Sequence, residues 1–532
     1  MDARSWWSTT DPVRIARIQL GGVLAALLLG AQLAFVLRAG LFGSGGALVS
    51  ADALGGALTA HALVLVFLFA LPALPLVIGG LVLPPMVGAK NFAFPALNRI
   101  TLQLYLASWV LIALALLGGS VDRTLRSLPP ADGGLSWPLA AAALGLHLLG
   151  LALVCGALNL LATVVYERSE DLQLSELPVL VWALVSGAAV QLAVAVAMAS
   201  LGLLLFLESV TGASVFGAGM AGGLAQDPLA YERLFEFILH AGAAVVVLPA
   251  IGVAFEVLAT FSRKAPAGGR SNPLSLAALA VLSLGGSGVA LVNDGTAPTL
   301  LAAQSGISLL AMVPATVLLY NLLATLAGGA IRLSAAFLHA LNLVVLITLG
   351  GLAGIFLATL STGSYLQGSL FDTAQLHFLM GGGAVAGLIT GLYYWWPLLT
   401  GRATSETLGR LGAALLFGGY LLAFVPSLVA GSRGLSSLTV FSSEAAARLE
   451  PVSGLGSVLL ILGLGVVCWD LLASILHEVP AEPNPWGATT REWLGERRTE
   501  AYDFSSLVDG DRAREPEMAR GELGGDSRVT SP

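Results

Sequence analysis

The chain has 532 residues, of which 56% are apolar and 11% charged, with 64 glycines, a mean hydropathy of +0.86 and a net charge of −7. A soluble domain carries about 25% charged residues, so this composition excludes an ordinary globular enzyme and, with its acidic balance, a nucleic-acid-binding protein. Cys155 and Cys468 are the only two cysteines and each lies in an apolar run, which excludes a disulfide framework and a thiolate metal site.

Taken in chain order, the apolar segments fall roughly at 15 to 42, 58 to 84, 101 to 118, 138 to 165, 178 to 210, 232 to 260, 273 to 292, 299 to 328, 335 to 359, 373 to 398, 408 to 430 and 453 to 477. Each is long enough as a helix to cross a hydrocarbon core of about 30 Å. Helices satisfy their own backbone polar groups, so the expected fold is all-α, a polytopic bundle of about twelve transmembrane helices. The first segment is too long for a cleavable signal and reads as a retained helix. Residues 1–14 then form an N-terminal segment, 15–478 the membrane domain, and 479–532 a charged tail rich in Gly, Pro and Ser that reads as a disordered cytoplasmic extension.

Lys and Arg set the orientation. The N-terminus and the loops on its side carry twelve (Arg4, Arg14, Arg17, Lys90, Arg99, Arg168, Arg263, Lys264, Arg270, Arg332, Arg402 and Arg410). The opposite loops carry six (Arg38, Arg123, Arg126, Arg233, Arg433 and Arg448). The positive-inside rule places both termini in the cytoplasm, and a bacterial inner (plasma) membrane is the expected location.

Histidine is scarce, and four of the six, His61, His147, His240 and His377, lie at similar depth near the outer ends of even-numbered helices. Ionisable groups in a bilayer core usually mark function, and two imidazoles on facing helices can hold a haem iron from both sides. The competing reading for any one of them is a histidine hydrogen-bonded between helices. Glu236 and Glu256 bracket the sixth helix, where an interfacial acid is commoner than a proton or cation site. His339 reads as a packing contact, His477 as a helix-terminal cation, and Tyr393, Tyr394, Trp395 and Trp396 as an aromatic interface belt.

Several motifs carry a family resemblance. His61 through Pro84, Gly88, Ala89, Asn91, Phe94, Pro95 and Asn98, then Asp227-Pro228, Leu248-Pro249 and Thr260 through Lys264, then Gly391, Tyr393 through Trp395, Pro397 and Glu406 through Gly409, occur in this order. With Asn484 through Gly487 and Glu492-Trp493, they resemble subunit I of the haem-copper oxidases, the catalytic subunit of cytochrome c oxidase. The similarity runs over about residues 55 to 493.

That resemblance implies a low-spin haem held by His61 and His377. It also implies losses. Where the family has a second histidine two residues before the helix-10 ligand, this chain has Gln375, and residues two apart sit about 200° apart around a helix. His240 occupies one copper-ligand position, but the adjacent pair appears as Asn293 and Asp294, a harder donor set than copper prefers. The cross-linked tyrosine falls at Ala244. The proton-channel positions fall at Asn91, Gly80 and Gly242, with Leu318 replacing a lysine, and the propionate-binding arginines fall near Ser437 and Leu438.

The expected function is therefore a cytochrome c oxidase subunit I-like protein with one low-spin haem of unassigned type and no copper. It would transfer electrons in a respiratory complex with other oxidase-type subunits in the lipid bilayer, fed by cytochrome c or another donor. Two alternatives stay open: an active terminal oxidase reducing oxygen to water, and a haem-free structural paralogue.

Overall fold

A computed structural model of the chain describes residues 7–39, 51–119, 137–211, 230–292, 297–436 and 444–494. Twelve helices among them are long and apolar enough to cross a membrane. They are α1 (Pro12–Leu37), α2 (Gly55–Met86), α3 (Pro95–Leu117), α4 (Trp137–Tyr166), α5 (Val179–Thr211), α6 (Ala230–Ser262), α7 (Ser271–Val292), α8 (Pro298–Leu326), α9 (Ala335–Ala358), α10 (Leu370–Thr400), α11 (Glu406–Gly431) and α12 (Pro451–Leu476). The chain is an integral multi-pass membrane protein with an all-helical fold.

Three helices form the interior. The apolar stretches of α2, α6 and α10 are 83, 89 and 78% buried, whereas those of the other nine are 28 to 50% buried and keep an apolar face outward. Lipid tails give helices no hydrophobic reason to associate, so close packing has to hold them together. Small residues make this possible. On the α4–α5 seam, a Cβ on Gly150 would come within 2.6 Å of the Ala199 backbone, and one on Gly202 within 2.5 Å of the His147 backbone. On the α11–α12 seam, a Cβ on Gly456 would lie 2.2 Å from the Ala423 nitrogen.

The inner helices are not regular. Pro72 and Pro75 interrupt α2, which runs as π-helix over Leu63–Ala70 and Ala73–Ile78. A proline cannot donate to the carbonyl four residues earlier and pushes it aside. Here Tyr105 of α3 replaces that donor: its hydroxyl donates to the Leu68 carbonyl at 3.0 Å. In α10 a π turn covers His377–Gly381. Ser369 caps the start of that helix by accepting from the Phe371 N–H, and Gly401, with φ of 71°, ends it in the left-handed region. Pro314 accounts in the same way for the break in α8 at Ala311, between Pro298–Leu310 and Met312–Leu326.

Composition predicts a disordered tail from residue 479 onward, but residues 479–494 lie as a strap across the helix ends that share the N-terminal face. Ala403 donates to Val479 and Ala481 to Gly401. The Trp486 indole donates to the Tyr394 carbonyl at 2.8 Å, and Trp493 is 2% exposed. The aromatic run that ends α10 is correspondingly not a lipid belt. Tyr393, Tyr394, Trp395 and Trp396 are all buried. Tyr393 donates to Asp470 at 2.8 Å, Trp396 to Ser474 at 2.8 Å and Trp395 to Glu492 at 3.4 Å. Glu256, expected to be interfacial, is instead buried, 7% exposed.

Candidate haem site and a second cavity

The structure brings His61 of α2 and His377 of α10 together, with ring centroids 6.2 Å apart and planes inclined by 18°. Each sits one or two turns into its helix, so parallel helices place them at one depth. The Nδ1 of His61 lies 2.9 Å from the Gly30 carbonyl of α1, and the Nδ1 of His377 lies 2.7 Å from the Thr373 carbonyl. A carbonyl only accepts, so each Nδ1 carries a proton, which in the neutral ring leaves the lone pair on Nε2, as in imidazole ligation supported by an outer hydrogen bond. The first contact depends on Gly30, where a Cβ would lie 2.3 Å from the Leu65 side chain. Both histidines also border the π turns described above. Such turns recur at functional sites because the extra residue re-aims side chains at the cost of regular backbone bonding.

The pair lines a cavity of about 300 Å³ with largely aliphatic walls, closed on one side by Tyr420 and Phe424 of α11. The Phe424 ring stacks on His377 at 4.5 Å and 24°. These two aromatics were not singled out from the sequence. Their spacing of four residues on one helix face is the signal, although it does not separate a cofactor wall from ordinary core.

Two metal–imidazole bonds of about 2 Å, with about 1 Å more from each nitrogen to its ring centre, span roughly 6 Å. The observed separation is one that two imidazoles sharing a metal would have, and the apolar walls would suit a macrocycle. Of the four histidines expected to share a layer, His147 is not part of this site. Its Nδ1 lies 2.8 Å from the Ala199 carbonyl, and its side chain lines neither this cavity nor the next.

A second cavity of about 330 Å³ lies on the other side of α10. Gln375 and His240 line it, with Ala244 and Leu318 in its wall. The structure thus gathers four of the positions at which the resemblance implied metal or proton chemistry, and their donor set is one imidazole and one amide. Among the described residues no group of three or more His, Cys, Asp or Glu side chains converges to hold a metal ion. That set does not suit a three-imidazole copper centre. Asn293, Asp294, Ser437 and Leu438 lie outside the described residues.

The remaining channel positions are structural in their contacts. Gly80 and Gly242 are buried backbone positions on the inner helices. Asn91 donates to the Thr10 carbonyl at 3.2 Å and accepts from the Phe92 N–H at 2.7 Å. His339 is buried and stacks on Tyr393 at 5.0 Å, the packing contact expected of it.

Comparison with known proteins identifies the family and the fold. The sequence profile of the family "Cytochrome C and Quinol oxidase polypeptide I" matches residues 14–461. Cytochrome c oxidase subunit 1 of Synechocystis sp. is 29% identical over 438 residues, 82% of this chain and 78% of that protein. A probable cytochrome c oxidase subunit 1-beta of Nocardia farcinica is 30% identical over 521 residues, 95% of this chain and 86% of that one. Among solved structures, a heme-copper terminal oxidase dimer determined by cryo-EM superposes with a TM-score of 0.70 over 90% of this chain and 86% of its own, at 17% identity, which speaks to fold alone.

Proposed function

The chain belongs to the Cytochrome C and Quinol oxidase polypeptide I family, and within it we propose that this member binds one low-spin haem between His61 and His377 and passes electrons without reducing oxygen. The observation that carries the reading is the 6.2 Å separation of the two imidazoles. A haem held by both His61 and His377 would supply one-electron transfer rather than oxygen reduction. The protein's part is to hold the ligands. The Gly30 and Thr373 carbonyls fix the tautomers, Phe424 restrains the His377 ring, and the aliphatic walls keep water from the site, which tunes potential.

The oxygen-reducing centre typical of heme-copper oxidases is, on this reading, lost. Gln375 and His240 supply too few strong ligands for a second haem with copper, and Gly80, Asn91, Gly242 and Leu318 carry no group able to relay a proton at those positions. Electrons would then pass to a partner, and other oxidase-type subunits, as in a respiratory complex, are the natural associates.

The test is composition and turnover of the purified protein, expressed with ample haem. One haem per chain, no stoichiometric copper and no oxygen consumption with a reduced donor is the expected result. Cyanide-sensitive oxygen uptake by this chain would overturn it, and absence of haem would leave a structural subunit as the better account.

A further inference from the structure

Among the described residues, six polar side chains line the His61–His377 cavity: the two histidines, Thr373, Tyr420, Ser427 and Ser457. Each histidine Nδ1 lies against a carbonyl, and Thr373, Ser427 and Ser457 donate to the carbonyls of Ser369, Ala423 and Ser453, four residues back. The Tyr420 hydroxyl is different. Tyr420 is 6% exposed, and its hydroxyl hydrogen-bonds to no other described residue. A buried phenol ordinarily finds a partner, and one left without it is costly. The rest of the lining is largely aliphatic and gives ordered water little to bond.

Its position says which part of a ligand the phenol would meet. The hydroxyl oxygen lies 3.4 Å from a Cβ built on Gly381, the last residue of the π turn that begins at His377. Counted from the start of α10, the phenol therefore enters the cavity deeper in the bundle than the histidine pair. The two propionates of a haem are charged, and charge is least costly toward the helix ends, where the bundle meets water. The opposite edge of the macrocycle would then face Tyr420. In protohaem that edge carries only hydrocarbon groups and offers the hydroxyl nothing. A hydroxyalkyl or formyl group there supplies an oxygen, and a phenol can donate to either. Resting on the haem reading above, we propose that Tyr420 is a specificity residue: its hydroxyl hydrogen-bonds an oxygen-bearing substituent on the inner edge of the macrocycle, so that the site prefers a hydroxyalkyl or formyl haem to protohaem.

The experiment compares wild type with Tyr420→Phe, which keeps the ring and its packing and loses only the hydroxyl. Both are expressed as full chains in a host that makes protohaem together with hydroxyalkyl and formyl haems, and the haem extracted from each purified protein is separated by chromatography. Wild type should hold mainly oxygen-substituted haem. Loss of one hydrogen bond should lower the ratio of that haem to protohaem about threefold to tenfold in Tyr420→Phe, with the low-spin α-band present in both proteins. Enrichment of either the hydroxyalkyl or the formyl haem supports the assignment and identifies the accepting group. Protohaem alone in wild type, or an unchanged ratio in Tyr420→Phe, would overturn it. The α-band of the same samples reports His61 and His377 separately, so the ligand pair survives that failure, whereas wild type without any haem would defeat both readings. Should Tyr420→Phe not accumulate, the haem extracted from wild type decides: protohaem alone contradicts the role of Tyr420.

Discussion

Gly431, the last residue of α11, leaves no room for a side chain against Phe371, the second residue of α10: a Cβ there would lie 1.9 Å from the Phe371 nitrogen. Phe371 precedes His377 by less than two turns, so this contact sets where the α10 ligand enters the bundle. Gly431→Ala should force the start of α10 outward and shift or broaden the absorption of the bound haem. An unchanged spectrum in a stably folded Gly431→Ala protein would show that the ligand is positioned by other contacts.

Trp493 anchors the strap, 2% exposed and edge-on to Tyr394 at 5.3 Å. Truncating a buried indole costs on the order of 3 kcal/mol or more. Trp493→Ala should lower the melting temperature in detergent and make the bonds around Arg491 more susceptible to trypsin. Equal melting and equal proteolysis would mean that the strap adds nothing to the helix bundle.

The strap is also tied by charge. The Arg491 guanidinium donates to the Asp171 carboxylate at 2.7 Å. That bond, with a second from Ser169, holds the Asp171 pKa down at about 2, against an ordinary 3.8. A carboxyl depressed on clamping favours the clamped state fully above about pH 4, and the preference is lost as pH falls through about 2. Asp171 is solvent-exposed, so the effect is small. Tryptic cleavage near Arg491 after brief acid exposure should rise slightly below about pH 4 in wild type, and in Asp171→Asn should be slightly raised at all pH values. Identical pH profiles would sink this coupling.

Much of this was legible in the sequence, and the exceptions have physical causes. Twelve apolar runs gave twelve helices because length and hydropathy are local properties. Equal offsets on helices entering from one side put four histidines at one depth, and it was the family resemblance that singled out His61 and His377 among them. The π turns could not be read, since an extra residue per turn leaves no composition signature, and the Tyr105 hydroxyl that repairs α2 comes from another helix. Tyr393, Trp395 and Trp396 looked like interface aromatics because their partners Asp470, Glu492 and Ser474 lie 77, 97 and 78 residues away. The strap was misread for the same reason: a segment poor in apolar runs was held by three tryptophan and carboxylate anchors whose sockets are elsewhere in the chain.

The charge asymmetry of twelve Lys and Arg on the N-terminal side against six on the other predicts orientation. Reporter fusions near Arg123 should report the outer compartment and fusions after Trp493 the cytoplasm. Both reporters on one side would contradict the arrangement of the twelve spans.

The central claim is that His61 and His377 ligate one iron, and the most direct measurement is the reduced-minus-oxidised visible spectrum of purified wild type beside His61→Ala, His377→Ala and His240→Ala. The account predicts a low-spin α-band in wild type, its loss in either His61→Ala or His377→Ala, and its retention in His240→Ala, whose side chain lines the other cavity. An α-band that survives His61→Ala unchanged, or that disappears in His240→Ala alone, would contradict it.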